Sequence, residues 1–146
     1  MVHALQLAHS LLQPDGLLIN MHDLPILHGI EVHSAGTAIK AGWLLDSVDY
    51  EGERSAWNAL ARVVSEGCFL LEDEQDFNFN VHVDSVQELR EWLAEGWETA
   101  VLPDKTIQRV EDILRQVGQE GEIVLKVPAR MTKLRVGGFS KGMGLS

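Results

Sequence analysis

Four polar residues at period-two spacing, Asn78, Asn80, His82 and Asp84, form the best chemical constellation in this chain. Alternate residues of an extended strand share a face, so two amides, an imidazole and a carboxylate would stand in one row. His82 is a candidate general base, because an imidazole changes charge near neutral pH. Asp84 is a candidate to orient it or an approaching substrate. Asn78 and Asn80 are candidate substrate-binding amides. A competing reading is a hydrated sheet face, with Asp84 serving the turn and helix start that follow. A second pair, His22-Asp23, ends an apolar strand. Open α/β sheets place ligands beyond such strand ends, so both residues are candidates for the rim of a substrate pocket.

Other patterns carry less chemistry. His22, His28 and His33 are five or six positions apart, wider than the close pairs typical of zinc sites, and no metal is assigned to them. His3 and His9 flank a helix and are expected to be solvated. Glu72-Asp73-Glu74 with Asp76 lacks the glycine and alternating oxygen ligands of a calcium loop. There is no G-x-S-x-G nucleophile motif. Cys68 is the single cysteine, set beside Phe69-Leu70-Leu71, and is expected to be a buried, inert thiol. Trp43, Trp57, Trp92 and Trp97 read as core or interface anchors.

The elements that position these residues follow from hydrophobic periodicity. Leu5, Ala8, Leu11 and Leu12 predict a helix over 2–13, ended by Pro14 and Gly16. The run 17–22 is almost uniformly apolar and predicts a strand covered on both faces. A loop, 23–29, leads to a hairpin. Ile30 and Val32 alternate with Glu31 and His33, and 34–37 turn. Ile39, Ala41, Trp43 and Leu45 are expected to share a face on the return. Asp46-Ser47 and Asp49 lead into a helix over 51–66, with Ala56, Leu60, Val63 and Val64 inward and Gly67 closing it. A long strand over 68–83 would bury Phe77, Phe79, Val81 and Val83. Ser85 and Glu88 make a capping box opening a helix that carries Val86, Leu89, Trp92 and Leu93. Another helix begins at Leu102-Pro103-Asp104, with Ile107, Val110, Ile113, Leu114 and Val117 on one face. A last strand, 121–136, alternates Ile123, Leu125 and Val127, then Met131 and Leu134, and Pro128 suggests a bulge or strand change.

The 146 residues suit a single domain over 1–136, with a flexible glycine-rich tail over 137–146. A net charge of −10 argues against nucleic acid and anionic membrane surfaces as partners. No apolar run reaches the roughly 20 residues of a membrane-spanning helix, no signal peptide is seen, and a cytoplasmic location is expected.

The passage helix–Gln13-Pro14-Asp15-Gly16–strand, the order of later elements, and Phe79-x-x-His82-x-Asp84-Ser85-Val86-Gln87-Glu88-Leu89 together resemble the C-terminal half of class I S-adenosylmethionine-dependent methyltransferases. The resemblance covers most of 2–136. It implies an α/β, mixed α+β fold: a partial sheet of mainly antiparallel strands with flanking helices, in which the last strand inserts between two earlier ones. The hairpin over 30–46 is an insertion relative to that pattern. The family's glycine-rich loop after its first strand, and the acidic residue ending its second, have no counterpart here, so no cofactor-binding residue is carried over. The donor is expected only if the missing half is supplied. The expected function is that of a truncated methyltransferase-like domain, not competent alone, acting as a binding or oligomerisation module. The alternatives are the substrate-side half of a two-chain or truncated methyltransferase, and a stand-alone α+β small-molecule enzyme or sensor using the Asn78–Asp84 row. A homodimer or a partner chain is expected to cover the edge of strand 17–22, and a small-molecule ligand remains open.

Overall fold

The computed structural model describes residues 1–46 and 51–137. In chain order the elements are α1 (Val2–Leu11), β1 (Leu17–Asp23), β2 (His28–Ser34), β3 (Thr37–Asp46), α2 (Glu51–Ser65), β4 (Phe69–Val83), α3 (Val86–Gly96), β5 (Ala100–Val101), α4 (Asp104–Val117) and β6 (Glu122–Val136). Among the described residues the fold is mixed α+β: four helices and a six-stranded, mostly antiparallel open sheet. The strand order is β1-β6-β2-β3-β5, with β4 also paired to β6. The segment Ser47 to Tyr50, which includes Asp49 of the expected lead into α2, and the tail from 138 onward lie outside the described residues.

β6 organises the sheet. Its second half pairs antiparallel with β1, from Leu17 opposite Arg135 to Asp23 opposite Ala129. Its first half pairs antiparallel with β2, from Gly29 opposite Lys126 to His33 opposite Glu122. Pro128 falls between the two partners, where its missing N–H costs no ladder bond. The strand change expected at Pro128 is therefore present. Side-chain pairs between β4 and β6 advance on one strand as they retreat on the other: Glu72 with Lys133, Asp76 with Arg130, His82 with Glu122. That pairing is antiparallel too, so the last strand lies between β1 and β4.

The described chain divides into two compact units, with boundaries inside β4 and β6. The first comprises residues 1–24, 51–77 and 129 onward. Its core is Leu5, Ala59, Leu60, Val63, Phe69 and Leu134. The turn after α1 places Asp15 at φ 62, and the Gly16 N–H donates to the Gln13 carbonyl at 2.8 Å. α2 ends in a Schellman motif: Cys68 N–H donates to Val63 O and Gly67 N–H to Val64 O, both at 3.0 Å. Gly67 sits at φ 79, the left-handed conformation that a closing glycine adopts without strain. Cys68 is half-buried rather than buried, packed beside that core.

The second unit holds residues 25–50 and 78–128. Its core joins Ile30, Val32 and Leu44 of the hairpin to Ile123, Leu125 and Val127 of β6, beneath Leu89 and Leu93 of α3 and Val110 and Ile113 of α4. The hairpin turns through Ala35 and Gly36, both at positive φ, the geometry that matches strand twist. α3 starts at Ser85, whose Oγ accepts the Glu88 N–H at 3.1 Å. Glu88 reaches back to the N–H of Asp84, at 2.8 Å, one residue before the usual position of a capping box.

Four sequence expectations are corrected. First, β1 is not covered on both faces: Leu17, Ile19 and Met21 are exposed, while Asn20 on the alternate face is buried, and β1 ends the sheet. Second, Ile39, Ala41, Trp43 and Leu45 do not share a buried face. Ile30 pairs with Gly42 and Glu31 with Lys40, leaving Ala41 as an extra residue. This bulge flips the alternation, so Leu44 is buried while Trp43 and Leu45 point outward. Third, Phe77 and Phe79 are exposed, and of their row only Val83 is fully buried. Fourth, in β6 the inward positions pass from Val127 and Ala129 to Thr132 and Leu134, so Met131 is not the core residue the alternation predicted.

The charged ladder between β4 and β6 in the first unit is sensitive to acid. Hydrogen bonds from Arg135 hold the Glu72 carboxyl below its ordinary range, and those from Arg130 do the same for Asp76. A depressed carboxyl pKa stabilises the fold above the ordinary value, and that contribution is lost as pH falls through the folded value. Urea midpoints are expected to fall below about pH 4. A Glu72→Gln, Asp76→Asn double variant should show a shallower fall, and an unchanged acid slope would contradict the assignment.

Candidate functional site

The Asn78–Asp84 row is solvent-exposed throughout. His82 Nδ1 lies 3.1 Å from Glu122 Oε1 on the neighbouring strand, so Glu122, not Asp84, is its carboxylate partner. Asp84 stands ahead of the Ser85 cap, with its backbone N–H bound by Glu88. Of the four, Asn78 lines a cleft.

That surface is a cleft of about 240 Å³ in the second unit. Trp43, Ile26, Leu27 and Pro128 supply its apolar lining, and Lys40, Lys126, Glu31 and Asn78 its polar groups. Cross-strand register assembles it: Trp43 stands opposite Gly29, Lys40 opposite Glu31, and Lys126 opposite Gly29 from the other side. The bulge at Ala41 is what turns Trp43 outward on to this face. The indole packs over Gly29, and a β-carbon there would lie 3.8 Å from its ring, an ordinary van der Waals contact. Gly42 holds the bulge close to α4, since a β-carbon there would meet Thr106 Oγ1 at 2.5 Å. Thr106 Oγ1 in turn donates to the Trp43 carbonyl at 3.3 Å.

The electrostatics of the cleft are asymmetric. Glu31 accepts on both oxygens, from Lys126 at 3.2 Å and against His33 Nε2 at 2.8 Å. The His33 hydrogen bond is the main cause of a Glu31 pKa below its ordinary value, with Lys126 adding to it. Lys40 Nζ lies 3.5 Å over the Trp43 ring and has no carboxylate partner among the described residues.

The pair His22-Asp23 lies in the first unit. His22 packs edge-on against Trp57, ring centroids 6.0 Å apart, and the Asp23 carbonyl accepts the Trp57 Nε1–H at 3.1 Å. Arg130, opposite His22 in the ladder, places its guanidinium carbon 5.4 Å from the same indole. One step along this face, Asn20 and Thr132 stand directly opposite each other, 9% and 1% exposed. Asn20 Nδ2, Thr132 Oγ1 and His22 Nδ1 are all buried without a hydrogen-bond partner among the described residues. Each such group costs about 1–3 kcal/mol. Thr132→Val, which removes a hydroxyl and keeps the shape, is expected to stabilise the protein by a similar amount, about 1–3 kcal/mol, measured by urea unfolding. A destabilised variant would show that the hydroxyl has a function in the folded state.

The three spaced histidines take separate partners: His22 meets Trp57, His33 meets Glu31, and the buried His28 packs on Trp97 at 4.6 Å. No three or more His, Cys, Asp or Glu side chains converge among the described residues. His9 is half-buried against Phe69, ring centroids 5.4 Å apart, not solvated as expected. Trp57 and Trp97 are half-buried, whereas Trp43 and Trp92 are exposed.

No family model, curated protein or solved structure matches this chain. No described helix is long and apolar enough to cross a membrane. Sequence reasoning missed Lys40, Trp43 and Lys126 as a group, because only cross-strand register unites them. It also missed Asn20 and Thr132. The one available signal was a lone amide, Asn20, inside an otherwise apolar run.

Proposed function

We propose that this chain is a methyltransferase-like domain that works as an association module, not as a competent methyltransferase alone, and that a second copy pairs with β1. The observation that carries this reading is the state of β1. It ends the sheet, and Ile19 and Met21 are 52% and 62% exposed. The likeness to the methyltransferase fold is supported by β6 lying antiparallel between β1 and β4, the arrangement the sequence resemblance implies.

The geometry of the edge follows from the ladder. Val136 N–H donates to Gly16 O at 2.9 Å, and these residues continue the β1–β6 register as a bonded pair. Bonded and non-bonded pairs alternate along an antiparallel ladder. Leu18, Asn20 and His22 therefore bond toward β6, while Ile19 and Met21 direct N–H and C=O away from it. A two-fold axis at Asn20 would let Ile19 of one copy exchange both bonds with Met21 of the other. Isologous pairing is the commonest route to a soluble oligomer, and an open apolar edge invites it. We place the protein in the cytoplasm and assign it no resident cofactor.

Amide hydrogen exchange tests this residue by residue. The Ile19 and Met21 amides should gain protection as protein concentration rises, while the Asn20 amide stays protected throughout. Free exchange at Ile19 and Met21 at every concentration would refute pairing at this edge.

The order β1-β6-β4 also favours a second reading, in which another polypeptide supplies the donor-binding strands beside β1 and S-adenosylmethionine binds only the assembled pair. Cofactor binding that appears only with such a partner would establish it.

A further inference from the structure

We infer that the cleft of the second unit binds a small aromatic carboxylate. The chain carries a net charge of −10, yet this cleft presents two ammonium groups and one carboxylate. Glu31 is engaged on both oxygens by Lys126 and His33, and among the described residues it makes no ion pair with Lys40. Among the described residues Lys40 has one partner, the Trp43 ring, at 3.5 Å. Among the described residues, one unit of positive charge thus faces the cleft without a carboxylate partner. A monoanion balances it, whereas a phosphate would need more donors than Lys40 and the Asn78 amide supply.

Shape selects the rest of the ligand. Ile26 and Leu27 are exposed on one wall, and Trp43 and Pro128 offer flat apolar surface beside them. An aromatic ring can stack against these groups while its carboxylate reaches Lys40, with Asn78 adding one amide hydrogen bond. At about 240 Å³ the cleft falls below the range of about 300–1,000 Å³ found for drug-sized ligands, so it suits a ligand about one ring in size. The amphipathic lining, largely apolar with a few directed polar groups, is that of a small-molecule site.

The test is a titration of the isotope-labelled full chain with benzoate, followed by nuclear magnetic resonance, with benzamide and cyclohexanecarboxylate in parallel. Benzoate should cause saturable shifts at the Gly29, Lys40 and Lys126 amides and at the Trp43 indole N–H. Benzamide should bind about tenfold more weakly, because it loses the charge-assisted bond. Lys40→Gln, a surface change that leaves the core intact, should weaken benzoate by about tenfold, and Trp43→Leu should weaken benzoate more than cyclohexanecarboxylate. Lys105→Gln on α4, outside the cleft, should change nothing. Absence of saturable shifts at these residues, equal binding of benzamide, or benzoate binding indifferent to Lys40→Gln would each overturn the assignment. Equal affinity for cyclohexanecarboxylate would remove the aromatic part of it.

Discussion

Met21→Pro is expected to dissociate the proposed dimer, raising its dissociation constant by at least about thirtyfold, while leaving the folded subunit intact. Proline removes one outward N–H, and in a two-fold pair that loss occurs twice. At about 1–3 kcal/mol for each donor or acceptor left without a partner, two lost bonds give roughly this factor. The substitution spares the ladder to β6, because Met21 belongs to a non-bonded pair there. Edge strands tolerate proline where the N–H faces outward. Sedimentation and circular dichroism together check both halves of the claim. Ile19→Lys acts on the same edge by a different route, placing like charges across the axis. Unfolding of both variants would mean that β1 is held differently from this ladder.

Phe69→Ala is expected to cost about 3–5 kcal/mol, the range for deleting a fully buried aromatic side chain. Phe69 is the largest fully buried side chain of the first unit, where it contacts His9 edge-on and joins Leu60, Val63 and Leu134. That core has few other members, so neighbouring groups have little freedom to fill the gap. Set against a total stability of about 5–15 kcal/mol for a typical domain, the variant should unfold at markedly lower urea. The adjacent Leu70 is exposed, and Leu70→Ala should change stability by about 0.5 kcal/mol or less. Equal effects at 69 and 70 would show that the inward and outward positions of β4 are assigned wrongly.

What could be read in advance was mostly local. The helical stripes of α2, α3 and α4, the cap at Ser85, the closing glycine at Gly67 and the partner change at Pro128 all depend on neighbours in sequence. The insertion of β6 between β1 and β4 was legible only through resemblance to a fold. What escaped depended on register. Nothing local to Trp43 signals the bulge at Ala41, yet that one residue decides whether the indole joins the core or faces the cleft. Phe77 and Phe79 alternate as buried residues would, but alternation does not say whether a face has anything packed on it. β1 illustrates the same limit: a uniformly apolar strand reads as central, although here it ends the sheet. The Asn78–Asp84 row was correctly seen as one polar face. Only the register to β6 could show that His82 meets Glu122 and that Asn78 lines a cleft.

Sedimentation equilibrium of the intact chain, with and without S-adenosylmethionine, tests the proposed association through the edge of β1. The expected result is a dimer that is indifferent to the cofactor and that Met21→Pro converts to monomer. A chain that stays monomeric at high concentration, or one that binds S-adenosylmethionine tightly by itself, would contradict it.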